Sequence, residues 1–283
     1  MQTVIARSFK TLKDNLKKSH LKGKKIGIVP TMGCLHNGHL ALIKKCLKLN
    51  YFTVVTIFLN PIQFNNKNDL KKYPAQEKID IRLLKKNLVD LIFIPKLSDI
   101  YPEGYSTYLY ENIYSKVLCG KHRNNHFLGV TTVVLKLFLL IKPNAAFFGE
   151  KDLQQLLIIR KIIKDLNLDI KLEKVSTIRD SCGLALSSRN KQLSKKNLYI
   201  ARNIYKNIKK VECYKHEKVK QIKSKIKKFL NLYGIKNIEY LEILETKTFK
   251  TPQYIDSSKE TRIFIAVKLG SVRLIDNYKI KKS

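Results

Sequence analysis

Apolar positions along the chain recur with two different periods. Lys24 to Val29 is a short apolar run closed by Pro30; a polar stretch follows from Thr31 to Gly38, and Leu40, Ile43 and Leu47 then recur at helical spacing. The pattern predicts strand, loop, helix. Phe52 to Leu59 is continuously apolar and β-branched, as a strand buried on both faces should be, and it stops at Asn60 and Pro61. Further along, Ile79 to Leu88, Thr131 to Ile141 and Leu153 to Leu166 read as helices, and Leu91 to Ile94, Ala145 to Phe148 and Ile170 to Val175 as strands. Such alternation argues for an α/β fold, a Rossmann-like doubly wound parallel sheet with helices on both faces.

Past Arg179 the texture changes. Two Lys-rich helical stretches, Lys195 to Lys210 and Glu217 to Tyr233, precede three strand-like runs, Ile238 to Leu244, Arg262 to Lys268 and Val272 to Asp276. This predicts a second, smaller α+β domain, with the boundary between 176 and 182, hence domains at 1–178 and 179–283.

Composition adds a packed globular class: 283 residues are 44% hydrophobic with only 11 Gly and 7 Pro, too apolar for a disordered chain. The net charge of +34 would suggest a polyanion partner. Its distribution argues otherwise, because lysines are spread along the whole chain in pairs such as Lys17 and Lys18 or Lys195 and Lys196, and only nine of the 56 basic residues are Arg. Solvated lysine faces, produced by AT-rich codon usage, explain the charge, so no specific nucleic-acid partner is expected. Five cysteines without a CxxC pair fit a reducing compartment. With no secretory leader and no apolar run of about 18 residues, a cytoplasmic protein without membrane attachment is expected.

Candidate chemistry gathers where predicted strands hand over to helices, the usual ligand position in open α/β sheets. Met32-Gly33-Cys34-Leu35-His36-Asn37-Gly38-His39 follows the first predicted strand; its two histidines can face one anion, and Gly38 leaves room for a phosphate at the backbone. Gly149-Glu150-Lys151-Asp152 occupies the same position later, with a lysine for phosphate charge. Leu186-Ser187-Ser188-Arg189 offers two hydroxyls and a guanidinium for a polyphosphate. Asn60 to Phe64 adds the Gln63 amide, suited to the oxygens of a hydroxy acid. Neither GxxxxGK[ST] nor GxGxxG occurs.

Six segments in order resemble the pantoate–beta-alanine ligase family of HxGH nucleotidyltransferases: PTMGxLHxGH from Pro30, FxNPxQF from Phe58, HFxGV from His126, FGEKDxQQ from Phe148, GLALSSRN from Gly183 and VRLIDN from Val272. The resemblance implies ATP-dependent condensation of (R)-pantoate with beta-alanine through a pantoyl adenylate, releasing pyrophosphate and AMP and yielding pantothenate. It implies catalytic roles for His36, His39 and Lys151, with His39 the proton donor. The ATP pocket would comprise Met32, Gly33, Cys34, Leu35, His36, Asn37, Gly38, His39, Gly149, Glu150, Lys151, Asp152, Ile178, Leu186, Ser187, Ser188 and Arg189. Gln63 and Gln155 would hold pantoate, with Gln63 also near beta-alanine. Magnesium would arrive with ATP, its ligands undefined, with no tightly bound organic cofactor; a homodimer is implied, and residues 179–283 would form a lid domain.

Three positions depart from the family pattern: Ala75 where arginine follows Tyr-Pro, Asn125 in place of a turn glycine, and Cys182 where aspartate is common. Two alternatives use the same residues. Cys34, His36 and His39, with Cys119, His122 and His126, could form a zinc-stabilised nucleic-acid module, although cysteine pairs are lacking. The other is adenylyl or cytidylyl transfer to a phosphorylated small molecule, against which the neutral Gln63 and Gln155 argue.

Overall fold

Two elements precede the first predicted strand. β1 (Val4–Ala6) is only three residues long, and α1 (Phe9–Leu21) is capped by Ser8, whose Oγ accepts the Thr11 N–H at 3.2 Å. Its buried face is Leu12, Leu16 and Ser19, diluted by lysines on every other side. The computed structural model, which describes residues 2–64 and 67–281, then runs β2 (Ile26–Thr31), α2 (Asn37–Lys48), β3 (Phe52–Ile57), α3 (Lys67–Lys71), α4 (Glu77–Lys86), β4 (Leu91–Phe93), α5 (Leu97–Ile100), α6 (Cys119–His122), α7 (His126–Ile141), β5 (Ala145–Gly149), α8 (Leu153–Asp165) and β6 (Lys171–Val175).

These strands form one six-stranded sheet, all neighbours parallel, in the order β1-β4-β3-β2-β5-β6. Residues alternate across it as the pleat requires. Val29, Val55, Ile57, Ile92, Ala145 and Phe147 pack with Leu42, Ile43 and Cys46 of α2 and Leu84 of α4. The Phe93 ring meets Phe9 of α1 at 6.2 Å, which puts α1 on the other face, so the sheet is covered on both sides. α7 is apolar nearly all round and correspondingly buried.

Chain order reverses between β2 and β5, the topological switch point where open sheets bind ligands. Their ladder covers only Gly27–Ala145 and Ile28–Ala146, although both strands continue further. That also explains why β2 does not end before Pro30: on the β5 side the ladder has already stopped, and the missing N–H is not needed there.

The chain divides into two compact units, Met1–Ser176 and Thr177–Ser283. The second holds α9 (Lys195–Ala201), α10 (Asn203–Ile208), α11 (Val219–Leu232) and an antiparallel sheet of β7 (Ile238–Glu245), β8 (Thr261–Leu269) and β9 (Val272–Lys279) in the order β7-β8-β9. Ile222, Ile226 and Leu230 of α11 share its core with Ile243, Ile263 and Ile265. The single helix expected from Lys195 to Lys210 is broken near Arg202, and Lys209 and Lys210 belong to a following 3-10 turn. Among the described residues no helix is long and apolar enough to cross a membrane.

Candidate active site

The loop from Met32 to Leu35 leaves β2 with Gly33 at φ +80° and Cys34 at φ +51°. A carboxylate holds this turn: Asp80 of α4, fully buried, accepts the Cys34 N–H at 2.7 Å on one oxygen and the Leu35 N–H at 2.8 Å on the other. The Thr31 hydroxyl accepts the Gly33 N–H, and the Tyr73 hydroxyl donates to the Gly33 carbonyl. Asp80 was not among the expected site residues. In the sequence it is one acid on a charged helix, and its partners lie 45 and 46 positions away.

α2 opens with the two histidines as a reciprocal cap. His36 Nδ1 accepts the Gly38 N–H at 3.0 Å and His39 Nδ1 accepts the His36 N–H at 3.3 Å, with the rings 4.2 Å apart. An accepting Nδ1 places the hydrogen on Nε2, so both imidazoles in their neutral form are N–H donors on that side. Burial, reinforced by His36 and the Lys151 ammonium, pulls His39 down from its ordinary 6.5 to about 3. His39 is therefore neutral at physiological pH. A Cβ at Gly38 would lie 2.7 Å from His36 Cε1, so the missing side chain makes room for the His36 ring. Its N–H is likewise taken by His36.

β5 delivers Gly149 and a 3-10 turn, Glu150–Asp152. β2 and β5 are parallel neighbours, so the turns that follow them leave the same edge of the sheet. Lys151 Nζ lies 3.7 Å from Asp152, while Glu150 accepts from Lys174 at 2.8 Å.

Gln63 ends a 3-10 turn, Pro61–Gln63, capped by Asn60. Its Nε2 donates to Met32 Sδ, and its Oε1 accepts from Asn60 Nδ2 at 3.2 Å, so the structure joins Gln63 to the Met32 loop. The His126 to Val130 segment supports this turn from below. His126 Nδ1 donates to the Gln63 carbonyl at 2.9 Å and Arg123 reaches the same oxygen at 3.1 Å, while a Cβ at Gly129 would lie 2.6 Å from the Gln63 backbone nitrogen. Gln154 is buried and structural, bonding to Tyr114, Val117 and Cys119; its neighbour Gln155 is half-buried on α8.

In the second unit, Ile178 to Leu186 form a tight hairpin closed by Leu186 N–H to Ile178 carbonyl at 2.9 Å. Arg179 anchors it through a two-pronged ion pair with Asp276, 2.6 and 2.9 Å, and stacks 3.5 Å from the Tyr205 ring centroid. The VRLIDN segment thus supplies the carboxylate that holds the hairpin. Ser187 then caps a 3-10 helix, Ser188–Gln192, by accepting the Arg189 N–H.

The departures have local explanations. Asn125 sits at φ +59°, the left-handed conformation that glycine favours and asparagine tolerates. Cys182 is exposed in a turn whose bonds are made by Asp180, which accepts the Cys182 and Leu184 N–H groups. Ala75 lines a cavity of about 250 Å³ with Met32, Gly33, Glu77 and Asp80, and Glu77 is paired with Arg7. The zinc alternative is not assembled: among the described residues no group of three or more His, Cys, Asp or Glu could hold a metal ion.

Comparison with known proteins points to one family. The family model for pantoate-beta-alanine ligase matches residues 4–279. The chain is 42% identical over 276 residues to the pantothenate synthetase of Thermosipho melanesiensis, covering 96% of this chain and 98% of that one. With the pantothenate synthetase of Aquifex aeolicus the identity is 39% over 283 residues, covering 98% and 99%. The crystal structure of pantothenate synthetase from Thermus thermophilus superposes with a TM-score of 0.91 at 34% identity, covering 99% and 100% of the two chains. That of the Francisella tularensis pantoate-beta-alanine ligase, complexed with beta-gamma ATP and beta-alanine, gives 0.82 at 39%, covering 98% and 97%. The chain is therefore a member of the pantoate–beta-alanine ligase family.

Proposed function

We propose that the Met32–His39 loop and the Gly149–Asp152 turn bind ATP while Gln63 and Gln155 hold pantoate, for the family's two-step reaction. The pantoate carboxylate attacks the α-phosphorus of ATP and pyrophosphate leaves; the amine of beta-alanine then attacks the acyl carbon and AMP departs, forming pantothenate. The carrying observation is the histidine cap at the end of β2, with the Lys151 charge acting on it from the end of β5. A neutral N–H donor and an ammonium in a half-buried site stabilise charge that develops on phosphate oxygens. His39 supplies the hydrogen bond and Lys151 the charge. On the second unit, Ile178 and Leu186 to Arg189 are the nucleotide-contacting residues, and the unit serves as a lid. Magnesium enters as part of the substrate MgATP; a hard, largely hydrated cation suits the half-exposed Asp152 carboxylate.

A homodimer is supported by Tyr108, Tyr110, Ile113 and Leu139, which stay exposed. Leu109 between the tyrosines donates its N–H to the Thr132 hydroxyl and accepts the Thr131 hydroxyl on its carbonyl, both on α7, two turns from Leu139. A monomer by sedimentation at micromolar concentration would remove this part of the reading. A cytoplasmic location accords with five cysteines that are all free thiols. Duplex DNA is expected to bind weakly, with log K falling linearly in log salt; tight binding that survives about 200 mM salt would contradict the absence of a nucleic-acid partner.

The direct test measures pyrophosphate and AMP release from MgATP with pantoate and beta-alanine omitted in turn. Pyrophosphate release is expected to need pantoate, and sustained AMP release to need both. Release that ignores pantoate, or none at all, would refute the assignment.

A further inference from the structure

Beneath Gln63 lies a chain of oriented polar groups that the assigned site residues do not include. Asn60 is buried; its Nδ2 donates to the Gly129 carbonyl at 2.9 Å and to Gln63 Oε1 at 3.2 Å, and its Oδ1 accepts the Ile62 N–H at 3.3 Å. A backbone carbonyl can only accept and a backbone N–H can only donate, so the sense of the Asn60 amide is fixed. The Tyr101 hydroxyl provides the shorter bond to Asn60 Oδ1, 3.1 Å. Burial pushes the Tyr101 phenol well above its usual range, so it stays protonated and donates. Its ring is held by Phe58 at 6.2 Å and by Tyr105 at 5.1 Å, over which the Lys136 ammonium lies at 4.1 Å. With its oxygen committed to Asn60, the Gln63 amide presents only Nε2 beyond this shell, as its contact with Met32 shows.

Resting on the assignment of pantoate to Gln63, we infer that Tyr101, acting through Asn60, is a positioning residue that keeps Gln63 a hydrogen-bond donor and so selects an acid bearing hydroxyl oxygens. The carboxylate of that acid is used as the nucleophile, which leaves its hydroxyls as the acceptors for a fixed N–H.

The test compares kcat/KM for pantoate with that for its two deoxy analogues, each lacking one hydroxyl, in wild type, Tyr101→Phe and Asn60→Asp. Wild type is expected to prefer pantoate. Tyr101→Phe, which keeps the ring, should compress the preference over at least one analogue about 3- to 10-fold without moving KM for ATP, the effect of one lost hydrogen bond. Asn60→Asp should compress it further, because an acceptor-only carboxylate facing Oε1 forces the Gln63 amide to turn over. Thermal melts check that both variants fold. An unchanged preference, or an equal loss for pantoate and both analogues, overturns the inference while leaving the pantoate assignment standing. Failure of wild type to use pantoate overturns that assignment and the inference with it.

Discussion

The two candidate nucleotide-contacting segments are stiffened by opposite means. In the first unit the Met32–His39 loop is fixed by backbone N–H groups closing onto Asp80 and onto two imidazoles. In the second the hairpin from Ile178 to Leu186 is fixed by an ion pair, Arg179 with Asp276, laid on an aromatic ring. The difference lies in what each leaves for a ligand. Backbone groups do the holding in the first, so the histidine Nε2–H groups stay donors; in the second a guanidinium is itself committed to architecture.

Removing a ligand-facing donor should have the largest effect. His39→Ala is expected to slow AMP release about 10²- to 10³-fold, as loss of one well-placed charge-stabilising donor does. A loss below about tenfold would mean that the loop contributes shape and no chemistry. Next come the groups that hold each segment. Asp80→Ala leaves two buried N–H groups unpaired and should cost about 3 kcal/mol in urea unfolding, whereas Asp80→Asn, which keeps one acceptor, should cost less. Equal costs would show that the charge matters and the two-point grip does not. Asp276→Asn weakens a buried pair and should raise KM for ATP several-fold, by about 1–2 kcal/mol, with KM for pantoate unchanged. Parallel shifts in both would detach the hairpin from nucleotide binding.

A further prediction concerns pH. His39, with a folded value near 3 against an ordinary 6.5, binds a proton more readily when unfolded. Its contribution to stability is therefore complete above about pH 6.5 and is lost as pH falls toward 3. In NMR its ring signals should not titrate between pH 5 and 8, while an exposed histidine does; a midpoint near 6.5 would deny the neutral donor.

Much of this was legible in the sequence, for reasons visible in particular residues. β3 and α2 carry strong periods, and the end of β2 is marked by a loop with two histidines. β1 was not legible, because three residues are too few for a period, and α1 has its apolar stripe thinned by lysines. Pro30 marks the end of the apolar run, yet it lies inside β2, since the break in the β5 ladder that permits this is a property of a strand over a hundred residues away. For the same reason Asp80 carries no mark of its role, and Asn60, although it lies in the FxNPxQF segment, is not marked as the holder of Gln63. Each acts by closing onto backbone or amide groups, and such bonds leave no spacing to read.

The β2–β5 ladder has a further meaning for how the protein comes into being. Its partners are 118 residues apart, as in the bond from the Ile26 N–H to the Asn144 side chain, and β1 must wait for β4, about 90 positions on, before it has a neighbour. During vectorial synthesis the histidine loop therefore leaves the ribosome long before the strand that completes its setting. Nascent chains arrested short of β5 should have α2 without an ordered crevice, and their exposed strand edges are where chaperones would be needed.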